Sequence, residues 1–268
     1  MQTIHVLSSR KAFLTRFIVG ALLLVILAAG WYIDGINERR LIEVEKNRTY
    51  EELNVYRTQI EGTLAANIQL VRGLAIALAP QPNLDQAQFE RFAAPLFETS
   101  QVLRNVGAAP DMVLQMVYPL EGNDKAIGLN YLTHPQQKKD AIKARDTRNI
   151  VLAGPLELIQ GGTALIARVP VYVDKDSFWG LLSVVIDMPK LYEQVSLNKL
   201  EGDYLIAIQG RNGLGDSGEY FYGSPTIQEH NPLAFTIHVP SGSWVMYAAP
   251  RYGGRPHLRP YGLFDWHY

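Results

Sequence analysis

Histidines, acidic pairs and glycine loops are the residues here able to do chemistry, and in each case their spacing argues against it. His5, His134, His230, His238, His257 and His267 form no HExxH or other close ligand pair. With no cysteine in the chain, a structural zinc site lacks ligands. Asp174 and Asp176 could meet a calcium ion, but the further oxygen ligands and the closing glutamate of a calcium loop are missing, so Asp174-Lys175-Asp176 reads as a hairpin turn. Gly213 to Gly218 satisfies GxGxxG. A dinucleotide site needs a helix next, whereas Glu219 to Tyr222 reads as a strand, and a β-turn is expected. The overlapping Gly215-Asp216-Ser217-Gly218 has the letters of a serine-protease nucleophile loop, without a histidine in the setting that chemistry requires. No Walker loop, kinase set or paired-carboxylate signature occurs, and the expectation is no catalytic centre, no metal and no cofactor.

One cation stands out. Arg168 interrupts the otherwise apolar strand Ala164 to Tyr172, where its charge must find water, an ion pair within its own lobe, or a ligand. A guanidinium fork suits carboxylate or phosphate. The stretch Tyr118 to Asn130 leaves the end of a strand and turns through Gly122 and Gly128, so it can wrap a cavity. Tyr118 and Asn123 flank that cavity and are candidate ligand contacts, with a purely structural role as the competing reading.

These residues must be positioned by a chain of 268 residues with a formal net charge of −1, which supplies no basic field for nucleic acid. An apolar fraction of 47% against 19% charged excludes a disordered chain. The apolar residues are unevenly spread. Phe17 to Ile33 carries no charge over 17 residues, at the short limit for a helix crossing a hydrocarbon layer of roughly 30 Å. Arg10, Lys11 and Arg16 precede it, whereas mixed charges follow. The basic flank stays inside, so residues 1–16 are expected in the cytoplasm, 17–33 as a retained single-pass inner-membrane helix, and the bulk of the chain as periplasmic or extracellular. A cleaved secretory signal is the competing reading.

Beyond the anchor, residues 34–80 are expected to form a long stalk helix. Leu53, Tyr56, Ile60, Leu64, Ile68, Val71, Leu74, Ala75 and Leu78 recur at steps of three and four on one stripe. Ala79-Pro80-Gln81-Pro82 stops it. Asp85 with Gln88 makes a capping pair for a short helix bearing Phe89, Phe92 and Ala93. Strands are expected at 104–109, 112–118, 150–153, 163–173 and 178–186, with a helix from His134-Pro135 to about Arg148 between the second and third. This order makes residues 81–187 an α+β lobe. A helix over 189–199 leads to a smaller, mostly β lobe over 188–250, and 251–268 is an aperiodic tail.

Several stretches together resemble the CHASE domain, the extracytoplasmic sensing module of bacterial sensors and plant cytokinin receptors. They are Tyr118 to Asn130, Val151 to Gly162, Ala164 to Tyr172, the pair Phe89 and Phe92, Val106-Gly107, and Ala144-Arg145-Asp146-Thr147. The resemblance runs from about Gly73 to Asp187. Pro240-Ser241-Gly242-Ser243-Trp244 and Pro250 look like the membrane-proximal half of bacterial members. It implies a stalk carrying two PAS-like lobes with antiparallel sheets, a small-molecule site in the distal one, and a homodimer through the stalk. It also implies a second span and an output domain such as a diguanylate cyclase or histidine kinase, which this sequence does not contain. The adenine-binding aspartate of cytokinin receptors aligns with Gln137, and a small polar pocket residue with Arg168, so cytokinin is not the expected ligand and an anion would suit Arg168 better. An exported membrane-anchored enzyme and a truncated partner subunit are the alternative readings.

Overall fold

The structure, a computed structural model, describes residues 3–81, 83–158 and 161–251. Side chains of residues 3–21 and of several positions up to 46 lie outside that description, as does the expected tail beyond Arg251. The chain divides into two compact units, residues 1–51 with 255–268 and residues 52–254. The first is described only as helix, part of α1 (Thr3–Leu78). Among the described residues no helix is long and apolar enough to cross a membrane, and many side chains of the uncharged run 17–33 fall outside them.

In the second unit α1 buries the expected stripe: Leu53, Ile60, Leu64, Ile68, Val71, Leu74 and Leu78 are all inaccessible. The Asp85–Gln88 capping box then opens α2 (Gln86–Thr99), with Gln88 N donating to Asp85 Oδ1 at 2.7 Å and Asp85 N to Gln88 Oε1 at 3.0 Å. Phe89 and Ala93 are fully buried beneath it.

Five strands follow: β1 (Leu103–Pro110), β2 (Met116–Tyr118), β3 (Val151–Glu157), β4 (Thr163–Tyr172) and β5 (Phe178–Asp187). They form one antiparallel sheet in the order β2-β1-β5-β4-β3. The second strand is shorter than its apolar letters imply. Asp111 and Met112 take positive φ in a tight turn after Pro110, and Val113 keeps only an isolated bridge to Asn130. Helix α3 (Lys138–Thr147) starts four residues after His134 and ends at Arg148 in the left-handed region (φ 57°), a conformation glycine adopts without strain. Arg148 lies over the Tyr172 ring at 4.7 Å and its guanidinium donates to Lys175 O, contacts no glycine could make.

The expected helix over 189–199 is broken. Ser196 at φ 54° separates α4 (Met188–Gln194) from α5 (Leu197–Leu200). A four-stranded antiparallel sheet follows, β7-β6-β9-β8, from β6 (Tyr204–Gln209), β7 (Tyr220–Tyr222), β8 (Leu233–Val239) and β9 (Gly242–Pro250). The glycine run 213–218 makes short 3-10 turns before β7, a strand. One hydrophobic cluster runs from α1 through the first sheet to Ile208, Phe235, Trp244 and Met246 of the second.

The first sheet has two different faces. Val106 and Ala108, Leu165 and Ala167, and Leu182, Val184 and Ile186 join α1 and α2 in that cluster. The alternate residues face away from it, because successive side chains of a strand point to opposite sides. Leu165→Ala should therefore remove about 2–5 kcal/mol of stability, and Asp85→Ala only about 1 kcal/mol. Urea unfolding of the two variants checks the contrast.

Candidate ligand-binding site

The second face of the first sheet carries a small grid of side chains. Strand pairing aligns Gly107 of β1 with Ser183 of β5 and Arg168 of β4, and one step along aligns Asn105, Val185 and Ile166. These six form one wall of a cavity of about 190 Å³. Residues between β2 and α3, among them Leu129, Tyr131, His134 and Gln137, close it together with Leu156 to Leu158 at the end of β3. The glycine of the grid makes room: a methyl group at position 107 would stand 2.5 Å from Leu114 Cδ1, another lining atom.

Arg168 is 1% exposed. Its Nη1 donates to Ser183 Oγ at 2.8 Å and its Nη2 to Gln137 Oε1 at 2.6 Å, while the guanidinium carbon stands 4.2 Å from the centre of the Tyr131 ring. The hydroxyls of Tyr131 and Ser183 are 2.8 Å apart, which ties the two supports together. Among the described residues no carboxylate forms a salt bridge with this cation. Its Nε is buried without a hydrogen-bond partner, as is Nδ1 of His134. Taking a cation out of water is expensive unless it is paired, and an unsatisfied buried donor by itself costs about 1–3 kcal/mol. Among the described residues the site thus holds a cation without a direct carboxylate contact and with one unpaired donor, beside a largely apolar chamber. Among the described residues no group of three or more acidic or histidine side chains is placed to hold a metal ion.

Arg168 and Gln137 come together here from β4 and the turn before α3. Tyr118 and Asn123 do not line the chamber. Tyr118 pairs with Val106, whose side chain belongs to the core face, so the tyrosine points the same way and packs edge-on to Phe97 at 5.1 Å. Asn123 is consumed by its own turn. Its Oδ1 accepts Asn105 Nδ2 at 2.7 Å and its Nδ2 donates to Pro119 O at 3.0 Å, so it steadies Asn105, which does line the cavity. Ser183, Tyr131 and Asn105 escaped the sequence reading. A lone polar residue in each of two largely apolar strands (Asn105, Ser183) was the available signal; Tyr131, in a loop, gave none.

Residues 111–219 match the family model of the CHASE domain. The match begins within the tight turn after β1 and reaches into the second sheet, later at both ends than the span 73–187 over which the resemblance was read. No curated protein matches the sequence. Solved structures show the same fold at low identity. An extracellular ligand-binding receptor from Desulfohalobium retbaense is 18% identical with a TM-score of 0.52; the match covers 75% of this chain and 38% of that one. The ligand-binding domain of the Pseudomonas aeruginosa amino acid chemoreceptor PctC, solved in complex with GABA, is 15% identical with a TM-score of 0.57, covering 75% and 98%. The periplasmic sensory domain of the Campylobacter jejuni chemoreceptor Tlp1 is 14% identical with a TM-score of 0.52, covering 74% and 92%. The α+β architecture with antiparallel sheets is that of extracytoplasmic sensory domains.

Asp140, in the first turn of α3, is the carboxyl whose ionisation feels Arg168. Burial raises its pKa above the usual 3.8, against the opposing pull of Arg168, Lys139 and Lys143. A folded-state pKa above the unfolded one means that the folded protein binds the extra proton, so this group's contribution to stability falls as pH rises from 3.8 through the raised value. Asp140→Asn should be more stable than the parent at neutral pH, and the difference should shrink as pH falls toward 3.8. Thermal midpoints across that range measure it.

Proposed function

We propose that this chain is the extracytoplasmic sensing module of a membrane-bound signalling receptor, and that it takes a small molecule into the cavity on Arg168. The observation that carries the reading is the guanidinium itself, 1% exposed, without a direct carboxylate contact among the described residues, with its Nε unpaired, and lining an apolar chamber. A bound carboxylate would supply both the missing charge and the missing acceptor. Size narrows the guest. A cavity of roughly 150 Å³ holds benzene, so about 190 Å³ suits a metabolite and is small for a substituted adenine. The PctC domain, with the same fold, holds GABA, itself a small carboxylate.

The uncharged run 17–33, with basic residues before it, supports a single-pass anchor with the N-terminus inside and the sensing unit outside the inner membrane. The stalk would pair with a second copy. In this reading the chain contributes recognition rather than catalysis, and the output belongs to a cytoplasmic domain such as a diguanylate cyclase or a histidine kinase. Occupancy would reach the stalk through the sheet, since Ala167 and Val184, the strand neighbours of Arg168 and Ser183, pack in the cluster that contains α1. A ligand shifts such an element only by its differential affinity for the two states.

In a thermal-shift screen of the detergent-solubilised chain, a fitting metabolite at a hundred times its Kd should add about 2.7 kcal/mol, or roughly 5–10 °C. Arg168→Ala should abolish that shift, and a shift that survives would remove Arg168 from the site. Alkaline phosphatase fused at the C-terminus should be active in cells; an inactive fusion of normal abundance would place the unit in the cytoplasm.

A further inference from the structure

We infer that the guest is a short aliphatic carboxylate without an ammonium group, an α-keto acid or plain acid rather than an α-amino acid. The inference rests on the reading of Arg168 as the anchor. The charges and the hydrogen-bond capacity of the chamber carry it.

Two cations line the cavity, Arg168 in the wall and Lys125 from the short turn Asp124–Ala126. Against them stands one carboxylate, Glu157, exposed at the end of β3 and already accepting Thr163 Oγ1 at 2.5 Å. Water screens that carboxylate and a neighbour occupies it, so it is a poor partner for a desolvated ammonium. The buried acceptors are engaged as well. Gln137 Oε1 and Ser183 Oγ both serve Arg168, and Asn105 is held by Asn123, leaving only neutral amide oxygens, those of Asn105 and Gln136, among the lining side chains.

What the walls lack lies on the other side of the ledger. Arg168 Nε is an unpaired donor, and His134 Nδ1 is an unpaired atom that donates in one tautomer and in the charged form. A carboxylate oxygen answers the first and a keto oxygen suits the second. An ammonium would enter beside a guanidinium whose nearest carboxyl influence, Asp140, does not line the cavity, and would give up its hydration for no buried charged partner. The rest of the lining, Leu114, Leu129, Ile166 and Val185 among it, accepts a hydrocarbon skeleton.

Isosteric pairs test this on the full detergent-solubilised chain by calorimetric titration: α-ketoisocaproate with leucine, pyruvate with alanine, and pentanoate with GABA. The expected result is that at least one keto or plain acid binds about tenfold or more tightly than its amino partner, a gap of about 1.4 kcal/mol. Lys125 is exposed on its turn, so Lys125→Glu should keep the fold and narrow or invert that ratio by giving an ammonium a partner. An amino acid that binds as tightly as its partner, with binding lost in Arg168→Gln, overturns the inference and leaves the anchor reading standing. An unchanged ratio in Lys125→Glu overturns the charge argument. Absence of binding by every pair, or binding indifferent to Arg168→Gln, overturns the anchor reading and this inference with it.

Discussion

A guanidinium held in the protein interior by neutral groups is the constraint around which the first sheet and its loops are organised. Hydroxyl, amide and aromatic face each satisfy part of Arg168, and together they leave its charge and one N–H without an answer. Such an arrangement survives only because the surroundings are rigid enough to prevent the side chain from escaping to water. Ser183 is fixed on the neighbouring strand, Tyr131 is bonded to Ser183, and Gln137 is set by the turn that begins α3. Replacing a buried charge by an apolar group often leaves a fold as stable or more so, so the fold's stability does not by itself require this cation.

The sheet makes the arrangement possible by doing two jobs at once. Its core face is hydrocarbon throughout and is pressed against α1 and α2. Its other face is thinned by Gly107 and lined by short polar side chains, so space remains where a second core would otherwise form. Because the period of a strand is two, the residues that line the cavity and those that pack against α1 are immediate neighbours in sequence. Alternate residues of β4 and β5 thus connect the cavity wall directly to the packing around α1. The continuity of the cluster into the second sheet extends the same coupling toward β6, β8 and β9.

The likeness to amino acid chemoreceptor domains, at 15% identity or thereabouts, speaks to that scaffold and not to its contents. Two chambers built on one sheet can favour different guests by changing a few side chains on a single face. Here the balance of lining charge is positive and the buried acceptors are spoken for, features that belong to the side chains alone.

Periodicity alone determined the helix stripe from Leu53 to Leu78, the Asp85–Gln88 cap and most of the strands, since each depends on local spacing and on residues a few positions apart. The same local rules misjudged Met112 and Ser196, where non-glycine residues take positive φ because tertiary contacts outweigh propensity. Arg168 announced itself as a charge in an apolar strand, and Gln137 followed from the resemblance. Whether Tyr118 faced the cavity or the core was a matter of strand register, and a one-residue difference in register reverses every side chain. Only the folded sheet could decide that Tyr118 lies beside Val106, that Ser183 lies beside Arg168, and that among the described residues no carboxylate forms a direct ion pair with it, because these are meetings between residues far apart in the chain.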